Sequence, residues 1–187
     1  PYPTLFRSAK ADLDDLFALP SAAITMQAGL GFTASGLGSV CYKPAEGAAF
    51  ARTETDVQDL LDADQGPKVE LSKDSFGFSW LLVRHDPADV SGLVTDLHAV
   101  NSSLQDAGFG PALLCSLVSF VHPDGRRAAL VYLYKRGTFY PFVPVPGGAA
   151  QRRDNALEIQ IQGTLASDLK IEPELSHWFP VWGAPGL

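Results

Sequence analysis

The side chains with the clearest potential for chemistry are His98 and Asn101, on one segment with helical periodicity, and Cys115, in an apolar run. At about 100° per residue over 87–107, Asn101 lies about 60° from the centre of the apolar stripe and His98 lies at its rim. If this helix packs on the strand that contains Cys115, an imidazole and a thiol meet, as nucleophilic catalysis requires. A catalytic thiol also needs an exposed, electropositive setting, which residues 113–117 do not offer. We therefore assign no catalytic residue.

Asn101 is predicted to be fully buried, because it falls within the arc that a core-facing helix covers. A buried amide needs partners for up to four hydrogen bonds, so we expect bonds to backbone groups of the sheet or of the neighbouring strand loop. Two roles stay open at this point. Asn101 is either a polar lock between helix and sheet or, with His98 and Cys115, one wall of a small pocket.

The sequence lacks the spacings of known catalytic and metal sites. No two of the four histidines are spaced as HxxxH or HxH, as a zinc site on one element requires. There is no GxSxG elbow, no GxxxxGK[ST] loop and no GxGxxG following a strand. No metal ion and no cofactor is predicted. Cys41 and Cys115, far apart in apolar surroundings, are expected to be free buried thiols of a cytoplasmic protein.

Two aromatic segments are candidates for a partner surface. In YLYKRGTFYPFVP two cations stand among tyrosines and phenylalanines, and HWFPVWGAPGL carries two tryptophans close to the C-terminus. Large aromatic side chains either anchor a partner or cover the protein's own core. We expect residues 172–187, the C-terminal aromatic tail, to pack on the domain. The candidate surface residues are Lys135, Arg136, Tyr140, Trp178 and Trp182.

The charge balance limits the class of partner. The chain of 187 residues has 14 Lys and Arg against 21 Asp and Glu, a formal net charge of -7. A polyanion is repelled by this charge, so nucleic-acid binding is excluded as a general function. No stretch of about 18 apolar residues would form a membrane-spanning helix, so any membrane contact is expected to be peripheral.

The elements that position these residues predict a single α+β domain over residues 1–187, with a mainly antiparallel sheet flanked by helices. The apolar runs at 76–84, 112–121 and 126–135 predict the centre of the sheet, and the helix 87–107 is expected across one face. Helices are expected at 12–19, at 20–31 with a stop at Gly29 or Gly31, and at 57–64, and short strands at 39–43, 48–52 and 68–72. Residues 32–38 are predicted as a loop or irregular strand, and residues 153–169 as helix or strand. The resulting order, α-β-β-β-α-β-β-α, is similar to that of type III secretion chaperones.

Long stretches of the chain resemble a known family. They include LFALPSAAITM, YKPAEGAAFARTETDVQDLLDAD, LVTDLHAVNSSLQDAGFGPALLCSLVSF, ALVYLYKRGTFYPFVP, RDNALEIQIQG and EPELSHWFPVWGAPGL. These strings are similar to the PspA-associated protein family of B type (PspAB), an actinobacterial group encoded beside homologues of phage shock protein A. The resemblance implies a cytoplasmic accessory of an envelope-stress system, and it brings no catalytic residues or cofactor with it.

Sequence and resemblance together favour a non-catalytic accessory or adaptor protein that binds a protein partner, for which a PspA-type coiled-coil protein is the candidate. The alternative is an enzyme of unknown reaction whose site forms around His98, Asn101 and Cys115. A homodimer is compatible with either reading.

Overall fold

A six-stranded antiparallel sheet forms the centre of the protein in a computed structural model, which describes residues 12–187. The spatial order of its strands is β2-β3-β1-β4-β5-β6. Their bounds are Thr33–Tyr42 (β1), Glu70–Lys73 (β2), Ser79–Arg84 (β3), Leu113–Val121 (β4), Arg127–Leu133 (β5) and Thr138–Phe142 (β6). The predicted α+β class with a mainly antiparallel sheet is confirmed. Residues 1–11, part of the single-domain prediction, lie outside the described residues.

Four α-helices accompany the sheet in residues 12–187. They are Leu19–Leu30 (α1), Ala48–Asp62 (α2), Val90–Leu104 (α3) and Asn155–Leu165 (α4). Asp89 caps α3 by accepting a hydrogen bond from the backbone N–H of Gly92, and Asp154 caps α4 through the N–H of Leu157. Segment 153–169, ambiguous in sequence, is therefore helical over most of its length. The two-residue strands Pro144–Val145 (β7) and Arg152–Arg153 (β8) form a separate small ladder.

β1 occupies the middle of the sheet, between β3 and β4. The three segments predicted to form the centre do share one sheet. Of the two alternatives for residues 32–38, the irregular strand is the correct one, since the register of β1 with β4 shifts between Ala34 and Gly38. This segment is continuous with the short strand predicted at 39–43 and is not separate from it. At Gly38, β1 passes close beneath α3. A Cβ on Gly38 would lie 3.0 Å from Leu97 Cδ1 and 3.1 Å from the carbonyl oxygen of Leu117. Larger β-forming side chains would not fit under this helix.

Residues 48–52 belong to α2, which corrects the predicted strand at that position. Alanine at 48, 49 and 51 has the highest helix propensity, so this sequence extends the helix expected at 57–64 toward its N-terminus. Phe50 and Val57 are the buried side chains of α2. They stand two turns apart and therefore share one face of the helix. The element order becomes α-β-α-β-β-α-β-β-β-α, counting the strands of the main sheet.

The two faces of the sheet are covered by different parts of the chain. Helices α1, α3 and α4 pack against one face of the sheet. Together they form a large apolar core that includes Val40, Leu97 and Val118. The opposite face packs against the C-terminal aromatic tail in a second cluster that includes Trp80 and Trp178. Because strand side chains alternate between faces, every central strand contributes to both cores. Among residues 12–187 no helix has the length and apolar character needed to cross a membrane.

Candidate functional site

The three residues singled out for chemistry are not brought together. Asn101 points from α3 onto the helix-covered face of the sheet, where it contacts Ser116. Cys115 is the preceding residue of β4 and belongs to the apolar cluster of the opposite face. His98 lies near the surface, where its Nε2 is 2.9 Å from Asp14 Oδ1. The sheet itself therefore separates the thiol from the imidazole.

Asn101 is fully buried, as predicted, but its partner is a side chain. Its Nδ2 donates to Ser116 Oγ at 3.0 Å, and Ser116 Oγ lies 2.6 Å from the hydroxyl oxygen of Tyr134. The expectation of a backbone partner was wrong, because the backbone groups of β4 are already paired within the sheet and the Ser116 hydroxyl stands between the sheet and α3. Among the described residues, Asn101 Oδ1 has no hydrogen-bond partner.

Two buried cysteines face each other across the central strands. Cys41 of β1 is the register partner of Cys115 of β4, and both are free thiols. A hydrogen bond between the two thiols, together with burial, raises the pKa of Cys41 well above its usual range. Cys41 is therefore a neutral thiol at physiological pH, whereas a reactive cysteine requires a lowered pKa.

These thiols lie at the floor of a cleft of about 660 Å³, which we call the tail cleft. Its walls are residues 72–80, at the β2–β3 hairpin, and residues 177–185 of the C-terminal aromatic tail. Its floor is formed by side chains from the ends of four strands: Cys41, Leu114, Cys115, Leu133 and Tyr140. A volume of this size falls within the range of small-molecule and peptide side-chain pockets.

The hairpin wall is held by Asp74. Its Oδ1 accepts hydrogen bonds from the backbone N–H groups of Phe76 (2.9 Å) and Phe78 (3.0 Å), and its Oδ2 accepts one from Trp80 Nε1 at 3.0 Å. Although desolvation opposes the charged form, these bonds lower the pKa of Asp74. The turn leaves Phe76 82% exposed at the mouth of the cleft.

The tail wall is held by aromatic packing and three well-placed hydrogen bonds. Trp178 stacks on Tyr140 with ring centroids 6.3 Å apart, and the Tyr140 hydroxyl donates to the carbonyl oxygen of Phe179 at 2.6 Å. Trp178 Nε1 donates to the carbonyl of Glu172, and Ser39 Oγ donates to that of Pro185. The bonds from Tyr140 and Ser39 tie the tail to the sheet, and the bond between Trp178 and Glu172 holds the tail in its own conformation.

The candidate partner surface is thus divided into buried anchors and accessible groups. Tyr140 and Trp178 are at most 5% exposed and hold the tail in place. Lys135, Arg136 and Trp182 line the tail cleft and are accessible, Trp182 only in part. The two aromatic segments of the sequence therefore both contribute residues to the tail cleft. The fold decides which of these side chains are accessible at its surface.

Cations dominate the rim of the tail cleft. Lys73 comes from the end of β2, and Lys135 and Arg136 follow β5. The Arg136 Nε donates to Glu172 Oε2 at 2.6 Å, and Thr138 Oγ1 donates to the same oxygen. Desolvation opposes ionisation of this fully buried carboxylate, but the hydrogen bonds from Arg136, Thr138 and His177 lower the pKa of Glu172 to about 2.

The hairpin half of the cleft was missed by sequence reasoning. Phe76, Phe78 and Trp80 alternate along FGFSW, a period-two pattern that places all three on one face of an extended segment. That pattern is the available signal. It was obscured because residues 80–83 are continuously apolar, which indicates a strand covered on both faces.

Fold and cleft define a class: a small α+β protein with a largely apolar cleft whose lining includes three cationic side chains. Among residues 12–187, no group of three or more His, Cys, Asp and Glu side chains is placed to hold a metal ion. The chain belongs to the PspA associated protein B family, whose model (PspAB) matches residues 4–186, nearly the whole chain. No curated protein and no solved structure matches it.

Proposed function

We propose that this protein is a non-catalytic, cytoplasmic accessory of an envelope-stress system and that it binds a PspA-type coiled-coil protein at the mouth of the tail cleft. Membership of the PspA associated protein B family supports the choice of partner. The enzyme alternative has no geometric support, because His98, Asn101 and Cys115 are distributed over two faces of the sheet.

The observation that carries this proposal is the pair of exposed aromatic side chains at the mouth. Phe76 on the hairpin wall is 82% exposed and Phe179 on the tail wall is 53% exposed. Large apolar side chains left in water at the rim of an apolar groove are typical anchors for a partner helix. Lys73 and Lys135 beside them suit the acidic side chains that flank the apolar seam of a coiled coil.

Titration calorimetry against a purified PspA-type coiled-coil protein tests the proposal. We expect the double variant Phe76→Ala/Phe179→Ala to bind at least tenfold more weakly than the parent protein, because two central apolar anchors are removed. Ile24→Ala is the matched control, since Ile24 is a 72% exposed apolar residue on α1, away from the cleft. Equal losses in both variants, or no binding by the parent protein, would contradict the proposal.

A further inference from the structure

We propose that the interior of the tail cleft binds a dissolved single-chain amphiphile with an anionic head group, of the fatty-carboxylate type. This inference goes beyond the proposed function. It concerns the floor of the cleft rather than the aromatic pair at its mouth, and it applies to the protein in the absence of any partner.

The shape and lining of the cleft suit an alkyl chain. Small-molecule sites are preformed clefts of roughly 300–1,000 Å³ lined mostly by apolar side chains, and the tail cleft encloses about 660 Å³. Its interior is formed by Trp80, Leu114, Leu133, Val181 and Trp182, together with the Cys41–Cys115 pair. The raised pKa keeps the Cys41 thiol neutral, and both cysteines belong to the apolar cluster on this face of the sheet.

The rim suits a negative head group. Three of the lining residues are cations, in a protein whose net charge is -7. Arg136 is bound to Glu172, whereas Lys73 and Lys135 form no ion pair with any side chain in residues 12–187. Asp74 is the opposing charge in the lining, and its two oxygens already accept three N–H donors. An anion at the rim would therefore meet unpaired ammonium groups.

The cleft combines a cationic side chain with an apolar lining, as an anionic amphiphile requires. Lys135 follows directly on the end of β5, where Leu133 contributes to the floor. Lys135 therefore brings an ammonium group to the same cleft whose apolar lining includes Leu133 and Cys115. The same arrangement would place a cationic head beside like charges, which is unfavourable. The cleft should thus discriminate by charge among ligands with equal alkyl chains.

Fluorescence titration with decanoate, decanol and decyltrimethylammonium tests this inference on the full chain, with the two ionic probes kept below their micelle concentrations and decanol below its solubility limit. Trp80 and Trp182 line the cleft and report on its occupation. We expect decanoate to bind at least tenfold more tightly than the ammonium compound, with the alcohol between them. Lys135→Glu should remove most of this preference, whereas Lys43→Glu, an exposed lysine outside the cleft, should retain it.

Filling the interior supplies an independent test. Leu133→Trp should weaken decanoate binding at least tenfold. Leu114→Trp fills the same space from β4, and it replaces the first variant if circular dichroism shows that Leu133→Trp does not fold. Equal affinity for the three probes, or an affinity unaffected by filling, would overturn the inference. Binding to anionic phospholipid vesicles without a response to dissolved decanoate would also overturn it. Because no partner protein is present, a failure here leaves the test of the proposed function unaffected.

Discussion

Ser116 is the residue on which the polar interior of the helix-covered core depends. It accepts a hydrogen bond from Asn101 Nδ2 and lies within hydrogen-bond distance of the Tyr134 hydroxyl, so one small side chain satisfies two larger ones. All three residues are buried. A buried polar group that loses its partner costs about 1–3 kcal/mol, more than the hydrogen bond itself contributes.

We therefore predict that Ser116→Ala lowers the free energy of unfolding by about 2–4 kcal/mol, because it leaves two buried groups without a partner. Asn101→Leu should cost less than about 1 kcal/mol, since it removes the unpartnered Oδ1 and leaves Ser116 bonded to Tyr134. Urea denaturation of the two variants measures the difference. A larger loss for Asn101→Leu would indicate that Asn101, not Ser116, is the essential group.

Ionisation of Glu172 makes the free energy of unfolding depend on pH. Its pKa is lowered from 4.5 to about 2 in the folded state, so the unfolded chain binds a proton more readily. The stabilisation is therefore complete above about pH 4.5 and is lost as the pH falls toward 2, and it amounts to about 3 kcal/mol. Denaturation between pH 2 and 7 should give a slope that Glu172→Gln reduces and that the exposed Glu46→Gln leaves unchanged. The same slope in both variants would refute this assignment.

At the scale of elements, the backbone conformation at the start of β1 requires a glycine at position 36. Gly36 has φ +83°, and a Cβ there would lie 2.2 Å from the carbonyl oxygen of His85. Gly77, in the hairpin, also has φ +83° but has open space around it. Gly77→Ala should cost about 1 kcal/mol for the left-handed conformation alone. Gly36→Ala should cost at least about 2 kcal/mol more, because backbone must move. Thermal unfolding of both variants checks the difference, and similar melting temperatures would contradict it.

The C-terminal aromatic tail functions as the third layer of the molecule. Trp178→Ala should lower the free energy of unfolding by about 3–5 kcal/mol, because it removes a buried indole that is stacked on Tyr140. It should also speed the alkylation of Cys41 and Cys115 by iodoacetamide. Phe179→Ala should cost less than about 1 kcal/mol, since its side chain is half exposed and its carbonyl keeps the bond from Tyr140. Slow alkylation of Trp178→Ala would mean that the tail does not protect the thiols.

At the scale of the whole molecule, the two cores are parts of one structure. Val40 and Cys41, neighbours on β1, point into the helix-covered core and the tail-covered cluster respectively. Neither core can be lost without exposing strands that the other needs. We therefore predict one cooperative unfolding transition, with coincident curves from far-ultraviolet circular dichroism and from tryptophan fluorescence. Two separated transitions would show that the tail layer unfolds independently.

The long, strongly patterned elements were predictable from local sequence. The apolar stripe and cap of α3, the alternation and turn of the β4–β5 hairpin and the position of Asn101 are all determined by residues close together in the chain. The continuity of β1 over ten residues and the start of α2 were not predictable, because their residue types reflect neighbours distant in sequence. Gly38 is small because Leu97 lies over it, and that contact does not exist until α3 is in place.

The candidate site also has features that local sequence predicts and features that depend on the tertiary structure. Its aromatic and basic residues were recognisable as a group, and the long strings shared with the PspA associated protein B family were recognisable as such. Only the tertiary structure decided that Cys41 lies opposite Cys115, that Tyr140 and Trp178 are buried anchors, and that the 72–80 hairpin supplies the second wall. The physical reason is that local periodicity determines which face of an element is apolar, whereas a cleft is formed by the element that packs against that face. For this sheet, that element is a tail that begins thirty residues after the end of β6.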